Sequence, residues 1–398
     1  MARDSLLKRF AVVSRVRRLK MFVSIGMFVV FYTIASVFLK PRAGRVLFAS
    51  DATETPVGNL AAVLNELRAR NIPGVAVTVM CRRSLWTWRG PVASIRLAIA
   101  ARSASAIVID DYFPELYAVT LHPDTEFIQL WHASGAFKKV GFAREGLPGG
   151  PRKGSTAHRG YTAAIVSAEG VRDAYATAFN MSAENVVATG IPKTDLLFDR
   201  DWVAQSRASV RRELGIPQDA RVTLVATTFH GHGQPTATVG GSHIDWSKVA
   251  EGLPSEYLLI KNHPFTRGIA PSYPPHARVV DVTSRNDIDA LMCSSDVVVT
   301  DFSSVIFDAA MLKKPVVYLF ANTDDYEANR GFFFEASSYV WGPTASTEPE
   351  LVSAIKAPTQ KSSVLDAAYA RHLSACDGKS TKRVVDSLVV PALRLRSA

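Results

Sequence analysis

Val297-Val298-Val299-Thr300-Asp301-Phe302-Ser303-Ser304-Val305-Ile306-Phe307-Asp308, followed by Lys313-Lys314-Pro315-Val316-Val317-Tyr318-Leu319, decides how this chain reads. An apolar run ends in a short polar turn, a helical stretch follows, and a second apolar run closes the unit. That is a buried strand, a helix and another buried strand, a βαβ unit. Ser303 or Ser304 can cap the helix, whose first free N–H groups point at whatever lies above the strand ends. A phosphate suits that place. Asp308 falls four residues after Ser304, on the same helix face. Hydroxyls for phosphates and a carboxylate for a ribose fit a nucleoside diphosphate; an ordinary capped helix with a surface Asp fits the same residues.

Two further stretches repeat the design. Ile128-Gln129-Leu130-Trp131-His132-Ala133-Ser134-Gly135-Ala136-Phe137-Lys138-Lys139-Val140-Gly141 runs from an apolar strand into a small-residue loop. His132 sits at the strand end, where open α/β sheets bind ligands. Tyr257-Leu258-Leu259-Ile260-Lys261-Asn262-His263-Pro264 puts Lys261 and His263 at another strand end. One such histidine is ordinary. Two, with lysines nearby in separate halves of the chain, are harder to explain as packing.

Together these residues resemble the CDP-glycerol glycerophosphotransferases that build teichoic acids. That family has Trp-His-Gly followed by Lys-Lys-x-Gly, then Lys-x-His-Pro, then Thr-Asp-Tyr-Ser-Ser with an Asp in the next helix, and later Arg-Gly. This chain has Trp131-His132, Lys138 to Gly141, Lys261 to Pro264, Thr300 to Ser304, Asp308 and Arg330-Gly331 in that order. Gly190 to Asp195 and Asp377 to Ser380 resemble two further family signatures. Three positions depart. Ala133 stands where the family has Gly, Phe302 replaces Tyr, and Thr227-Thr228-Phe229-His230 stands where the family tends to Pro-Thr-Phe-Arg.

The resemblance implies a glycosyltransferase-B architecture and transfer of glycerol phosphate from CDP-glycerol to a lipid-linked acceptor, with CMP leaving. His132 is then the general base. His263 and Lys261 serve the donor phosphates, with Thr300, Asp301, Ser303, Ser304 and Arg330 completing the cradle and Asp308 on the ribose. Lys138 and Lys139 take the acceptor's phosphate. CDP-ribitol is the alternative donor, a sugar-nucleotide epimerase of similar fold the alternative class, and a non-catalytic scaffold a third reading. No cofactor or metal is expected: His230-Gly231-His232 and Asp324-Asp325 lack further ligands.

The net charge of +10 is concentrated in one place. Residues 1–45 carry ten Lys/Arg against Asp4, which leaves about +1 for the rest, so no nucleic-acid partner is expected. The same tail holds Met21 to Leu39 without a charge, close to the roughly 20 residues that span a bilayer. A transmembrane anchor, a cleaved signal peptide and a surface-lying helix compete, and the anchor is preferred. Charge flanking favours the chain's bulk outside, whereas a CDP-linked donor demands the cytoplasmic face, which is the location expected. Cys81, Cys293 and Cys376 are too far apart for a disulfide framework.

Beyond the tail, apolar runs alternate with amphipathic helices in two series, separated near the charged helical stretch from Phe198 to Arg221. The expected organisation is a tail with a hydrophobic helix (1–44, apolar at 21–39), an acceptor-binding α/β domain (45–200) and a CDP-donor-binding α/β domain (201–398). Both α/β domains are expected to be doubly wound and Rossmann-like, facing a cleft. Arg144 to Arg159, rich in Gly, Pro and Arg, reads as a solvated linker or a lid.

Overall fold

The computed structural model describes residues 2–82, 90–230, 238–263, 266, 276–320 and 331–395, without the side chains of 2–18, 229–230 and 238–239. Arg330, Asp324-Asp325 and Gly231-His232 therefore lie outside the described residues.

Two six-stranded parallel sheets carry the fold. The first contains β1 (Arg42–Ser50), β2 (Ala76–Cys81), β3 (Ala104–Ile109), β4 (Glu126–Gln129), β5 (Ala163–Ile165) and β6 (Val186–Val187), in the order β2-β1-β3-β4-β5-β6. The second contains β7 (Arg221–Ala226), β10 (Glu256–Ile260), β11 (Val279–Asp281), β12 (Val297–Thr300), β13 (Val316–Leu319) and β14 (Thr344–Ala345), in the order β11-β10-β7-β12-β13-β14. A small antiparallel hairpin, β8 (Phe229–His230) with β9 (Thr238–Val239), follows β7. In each sheet the order reverses beside the first strand, between β1 and β3 and between β7 and β12.

Both faces of each sheet are covered, as parallel sheets require. Along β1, Leu47 and Ala49 enter one core while Val46 and Phe48 enter the other, the period of two that a strand imposes. Leu224 and Val225 divide in the same way in the second sheet. The helix α1 (Ala2–Phe38) packs Phe28 and Tyr32 into the first sheet's core beside Leu97, Ala98 and Ala101 of α3 (Gly90–Ser103). The helix α6 (Arg200–Glu213) begins at Asp199, whose carboxylate accepts from Asp201 N and Trp202 N. It is fixed at its far end by the buried Arg211, which donates to Ser294 O, Ala220 O and Asp296 Oδ2.

One difference from the sequence expectation concerns the end of the chain. Residues 380–393 follow the second sheet but pack on the first. Val384, Val385, Val389, Ala392 and Leu393 share a core with Val46, Phe48 and Leu64. The return is fastened by Asp195, whose two carboxylate oxygens accept from Ser380 N at 2.9 Å and Thr381 N at 2.7 Å. Gly190, at φ +80, lies so close to Ala375 O and Ser380 Oγ that a Cβ would sit 2.3 Å from each. The signatures at 190–195 and 377–380 are thus two halves of one joint. Placing an aspartate at Val389 buries an unpaired charge in the first sheet's core, where such changes cost about 4 kcal/mol or more. Val389→Asp should therefore lower the melting temperature steeply; an unchanged melt would mean the C-terminal segment is not integral to that domain.

Candidate active site

The C-terminal edges of the two sheets meet. Ser134, in the loop after β4, donates to Asp308 Oδ1 at 2.7 Å, and Asp308 lies on α9 (Val305–Met311), which follows β12. Nearby, Phe137 inserts its ring between Phe332 and Tyr339, with Phe307 on its edge. Phe333 N donates to Phe137 O and Lys139 N to Gly331 O, a short antiparallel bridge between the halves.

On the first side, three neighbouring strands end in polar residues. β1 is followed by Asp51, β3 by Asp110 and Asp111, and β4 by the loop bearing His132. His132 is 56% exposed, and its Nδ1 lies 3.9 Å from Asp111 Oδ2. That is an ion-pair distance for a protonated ring and too long for a hydrogen bond. The ring stacks on Trp131 with centroids 4.3 Å apart. Trp131 holds φ +51, a left-handed conformation unusual for a bulky residue. Its backbone N–H donates to Gln129 Oε1, and Gln129 Nε2 in turn donates to Asp111 O and Tyr161 Oη. Behind this, His158 is buried against Trp131, Tyr161 and Phe179, and burial pulls its pKa down to about 4, so it is neutral.

The strand-end rule that singled out His132 also covers residues that the sequence reading passed over. Arg82, just beyond β2, donates to Asp51 Oδ1 at 2.6 Å and forms a fork with the Glu115 carboxylate. Its guanidinium sits 4.6 Å from the centre of the Phe113 ring. A cavity of about 260 Å³ opens there, lined in part by Cys81, Arg82, Leu97, Glu115 and, from α1, Ser24. The structure also makes Asp111, just past the end of β3, the carboxylate beside His132.

On the second side, β10, β7 and β12 are adjacent, and their ends carry Lys261 to His263, Thr227-Thr228 and Thr300 to Ser304. Two of the expected donor residues face inward. Thr300 Oγ1 donates to Ala226 O at 2.6 Å, and the buried Asp301 accepts from Thr228 N and Thr228 Oγ1. They tie the ends of β12 and β7 together and shape the loop. Lys261 Nζ donates to Arg285 O at 2.6 Å. His263 is half-buried, with its carbonyl accepting from Thr266 N and Oγ1. Ser304 is the N-cap residue of α9, yet its hydroxyl makes no cap bond, because its backbone (φ −64, ψ −7) is already helical. Ser303 Oγ accepts from Val305 N at 3.4 Å. Asp308 is 5% exposed and bonded through both oxygens, to Ser134 and to Lys193 Nζ at 3.2 Å, so the ribose contact expected of it is blocked by its own partners. Lys138 pairs with Phe332 in the short bridge between the two sheets' loops, and Lys139 follows it, both half-buried. Among the described residues no group of three or more His, Cys, Asp or Glu could hold a metal ion.

Comparison with known proteins gives these positions a context. Residues 30–390 match the family model of CDP-glycerol:poly(glycerophosphate) glycerophosphotransferase, and the chain belongs to that family. It is 34% identical over 352 residues to the teichoic acid poly(ribitol-phosphate) polymerase of Bacillus spizizenii, covering 88% of this chain and 57% of that protein. It is 32% identical over 363 residues to a teichoic acid ribitol-phosphate polymerase of Staphylococcus aureus, covering 90% and 64%. The chain therefore spans about six-tenths of the length of these two relatives. Its fold is similar to that of the wall teichoic acid polymerase TagF, with a TM-score of 0.72 at 18% identity, over 97% of this chain and 98% of that one.

One group at the site has a consequence for stability. Burial pushes the Asp110 carboxyl up to about 7, a Ser50 hydrogen bond pulls it partly back, and the Asp111 charge adds to the rise. Asp110 Oδ1 has no hydrogen-bond partner. Because the folded pKa lies above the ordinary 3.8, the folded state keeps a proton that the unfolded chain releases. This contribution is full at low pH and is lost as pH rises through about 7. Asp110→Asn should flatten that part of the pH profile and stabilise the protein at pH 8 by about 1–3 kcal/mol. Urea unfolding at pH 5 and pH 8 reads it; identical profiles for the two proteins would show that Asp110 titrates normally.

Proposed function

We propose that this protein transfers a polyol phosphate from a CDP-linked donor to a hydroxyl of a lipid-linked, teichoic-acid-like acceptor at the cytoplasmic face of the membrane, releasing CMP. The observation that carries the reading is the exposed His132 beside Asp111, on a loop bonded directly to the helix that opens with Ser303 and Ser304. Family membership over residues 30–390 supports the same class. We read the two sheets, each with one reversal of strand order, as the paired doubly wound halves of a glycosyltransferase-B architecture, which bind ligands at such reversals.

In this mechanism the acceptor oxygen attacks the β-phosphorus, the phosphodiester bond to the acceptor forms, and the bond to the bridging oxygen breaks as CMP departs with it. His132 takes the hydroxyl proton. Asp111 lies on its Nδ1 side, leaving Nε2 for the substrate and stabilising the imidazolium that forms. Lys261 and His263 with Ser303 and Ser304 hold the phosphates, where positive charge and donors are needed as charge shifts to the leaving group. From its Arg-Gly motif in the sequence we assign Arg330 a part in holding the same phosphates, and we assign Lys138 and Lys139 to the acceptor's phosphate. Ribitol is the favoured polyol, since both relatives named above are ribitol-phosphate polymerases; the family model's glycerophosphotransferase keeps glycerol as the second reading. His132→Ala should lower CMP release from CDP-ribitol by about 10²–10⁴ with donor affinity nearly intact. Wild-type turnover in that variant would remove His132 from the chemistry.

We place the membrane contact at α1. Leu19–Phe38 is long and apolar enough to cross a bilayer, but Phe28, Tyr32 and Ala35 are buried, and Arg102 of α3 reaches Ser36 O in the last turn. The outer face exposes Phe22 at 64% and Val37 at 75%, and α3 exposes Val92, Ile95 and Ile99. Two packed helices that both expose apolar side chains, with a basic tail before them in the sequence, fit a helix pair lying in an anionic leaflet. Such a helix does not cross, which removes the conflict between flanking charge and a cytoplasmic donor. Ile95→Glu with Ile99→Glu should weaken sedimentation with anionic vesicles by about tenfold or more while turnover on a soluble acceptor persists. Equal vesicle binding would exclude α3 from the membrane surface.

A further inference from the structure

We propose that the contact between Ser134 and Asp308, backed by Lys193, is a positioning device that couples donor binding at the start of α9 to the geometry of His132. The inference rests on the reading of His132 as the base and of residues 300–304 as the donor loop.

Asp308 lies one turn into α9, directly below Ser304. Its Oδ1 accepts from Ser134 and its Oδ2 from the Lys193 ammonium. Lys193 belongs to the 3-10 turn Pro192–Phe198, which precedes α6 and comes from neither partner's neighbourhood in sequence. Its backbone N–H donates to Asn59 Oδ1 at 2.8 Å. Asn59, on α2 (Gly58–Ala69), donates in turn to Leu130 O at 3.2 Å and Trp131 O at 2.9 Å. The loop is therefore gripped on both sides of His132: by Asn59 at 130–131 and by Asp308 at 134. Both grips converge on Lys193.

The geometry leaves little slack. Trp131 holds its left-handed backbone next to His132, a conformation that persists only where surroundings impose it. Gly135, at φ +61, lies against α9, and a Cβ there would approach the Phe307 ring to 2.5 Å. A shift of α9 is thus passed to the loop rather than absorbed in a gap. The lysine is held charged. Burial by itself pulls its pKa down, but the carboxylates of Asp308 and Asp289 outweigh burial and the net shift is upward. Asp289, on α8 (Ile288–Ser294), is raised by burial and leaves Oδ1 without a hydrogen-bond partner. A donor that settles on Ser303 and Ser304 accordingly sets α9, and α9 sets the distance from His132 to the β-phosphorus.

This makes Asp308, Ser134 and Lys193 positioning residues, and it separates them from a ribose contact. Ser134→Ala deletes one hydrogen bond and leaves the buried ion pair intact, so its folding is not at stake. It should lower kcat about 10- to 100-fold, the scale of a roughly 1 Å misplacement, with the donor KM within about twofold. Asp308→Asn should act in the same sense, and the two together should cost less than the product of the single effects. A readout that needs no turnover is amide hydrogen exchange over residues 130–136 with CMP as the probe. CMP should slow exchange there in the wild type and fail to do so in Ser134→Ala. The proposal is overturned by an unchanged kcat in Ser134→Ala, by a rise in donor KM alone in Asp308→Asn, or by a wild-type loop indifferent to CMP. Absence of CMP release from every CDP-polyol in the wild type would instead sink the functional reading, and the exchange experiment would still judge the coupling.

Discussion

Burial of the central strands on both faces is the constraint from which the rest follows. A parallel sheet flanked by helices has no solvated face, so polar side chains can be presented only where strands end. In this protein Asp51, Arg82, Asp110, Asp111 and His132 lie just past strands of the first sheet, and Lys261, His263 and Ser303 just past strands of the second. The two edges are then brought together by contacts that are themselves buried: the Phe137 ring among Phe307, Phe332 and Tyr339, and the Lys193–Asp308 ion pair. A pair of that kind is costly to take out of water and is strongly destabilising to break on one side. Such contacts make the relative placement of the halves specific, which the proposed transfer from a nucleotide to a hydroxyl requires.

The chain closes on itself through a second joint. Asp195 caps the helix starting at Ser380, Gly190 lets that segment approach, and Arg383 donates to Thr189 O. The last residues thereby complete the first sheet's core. α1 packs with α3 into the core on the opposite face of the first sheet, so that sheet is covered by segments that lie far apart in sequence. The Arg82–Glu115 cavity lies beside Ser24 of α1, so the polar strand ends and the apolar surface are close neighbours.

Much of this was legible in the residues, for a physical reason. Strands buried on both faces read as apolar runs, and Val297–Thr300 and Val316–Leu319 lie in the apolar runs that the opening stretch marks. The two-residue β14 and the β8–β9 hairpin escaped because segments so short carry no period. The C-terminal return escaped because Val384, Val385 and Val389 read equally well as the end of a second domain; only Asp195, far back in the chain, shows where they go. At the site, His132 stood out by its strand end and Asp308 by its distance from Ser304. The partners of Asp308 did not, since Ser134 is 174 residues away and Lys193 115. Spacing gave the position and a plausible ligand, while the fold supplied different neighbours.

The central claim is that the β-phosphorus of a CDP-linked polyol is the atom attacked. The most direct measurement is to identify the nucleotide product, and the fate of the phosphorus, with CDP-ribitol carrying radiolabel in the β-phosphate and a lipid-linked acceptor. The account predicts CMP and labelled acceptor in equal amounts, with every transferred polyol carrying its phosphate. Release of CDP with the label, leaving the acceptor unlabelled, would place bond breaking at the polyol carbon and contradict the account.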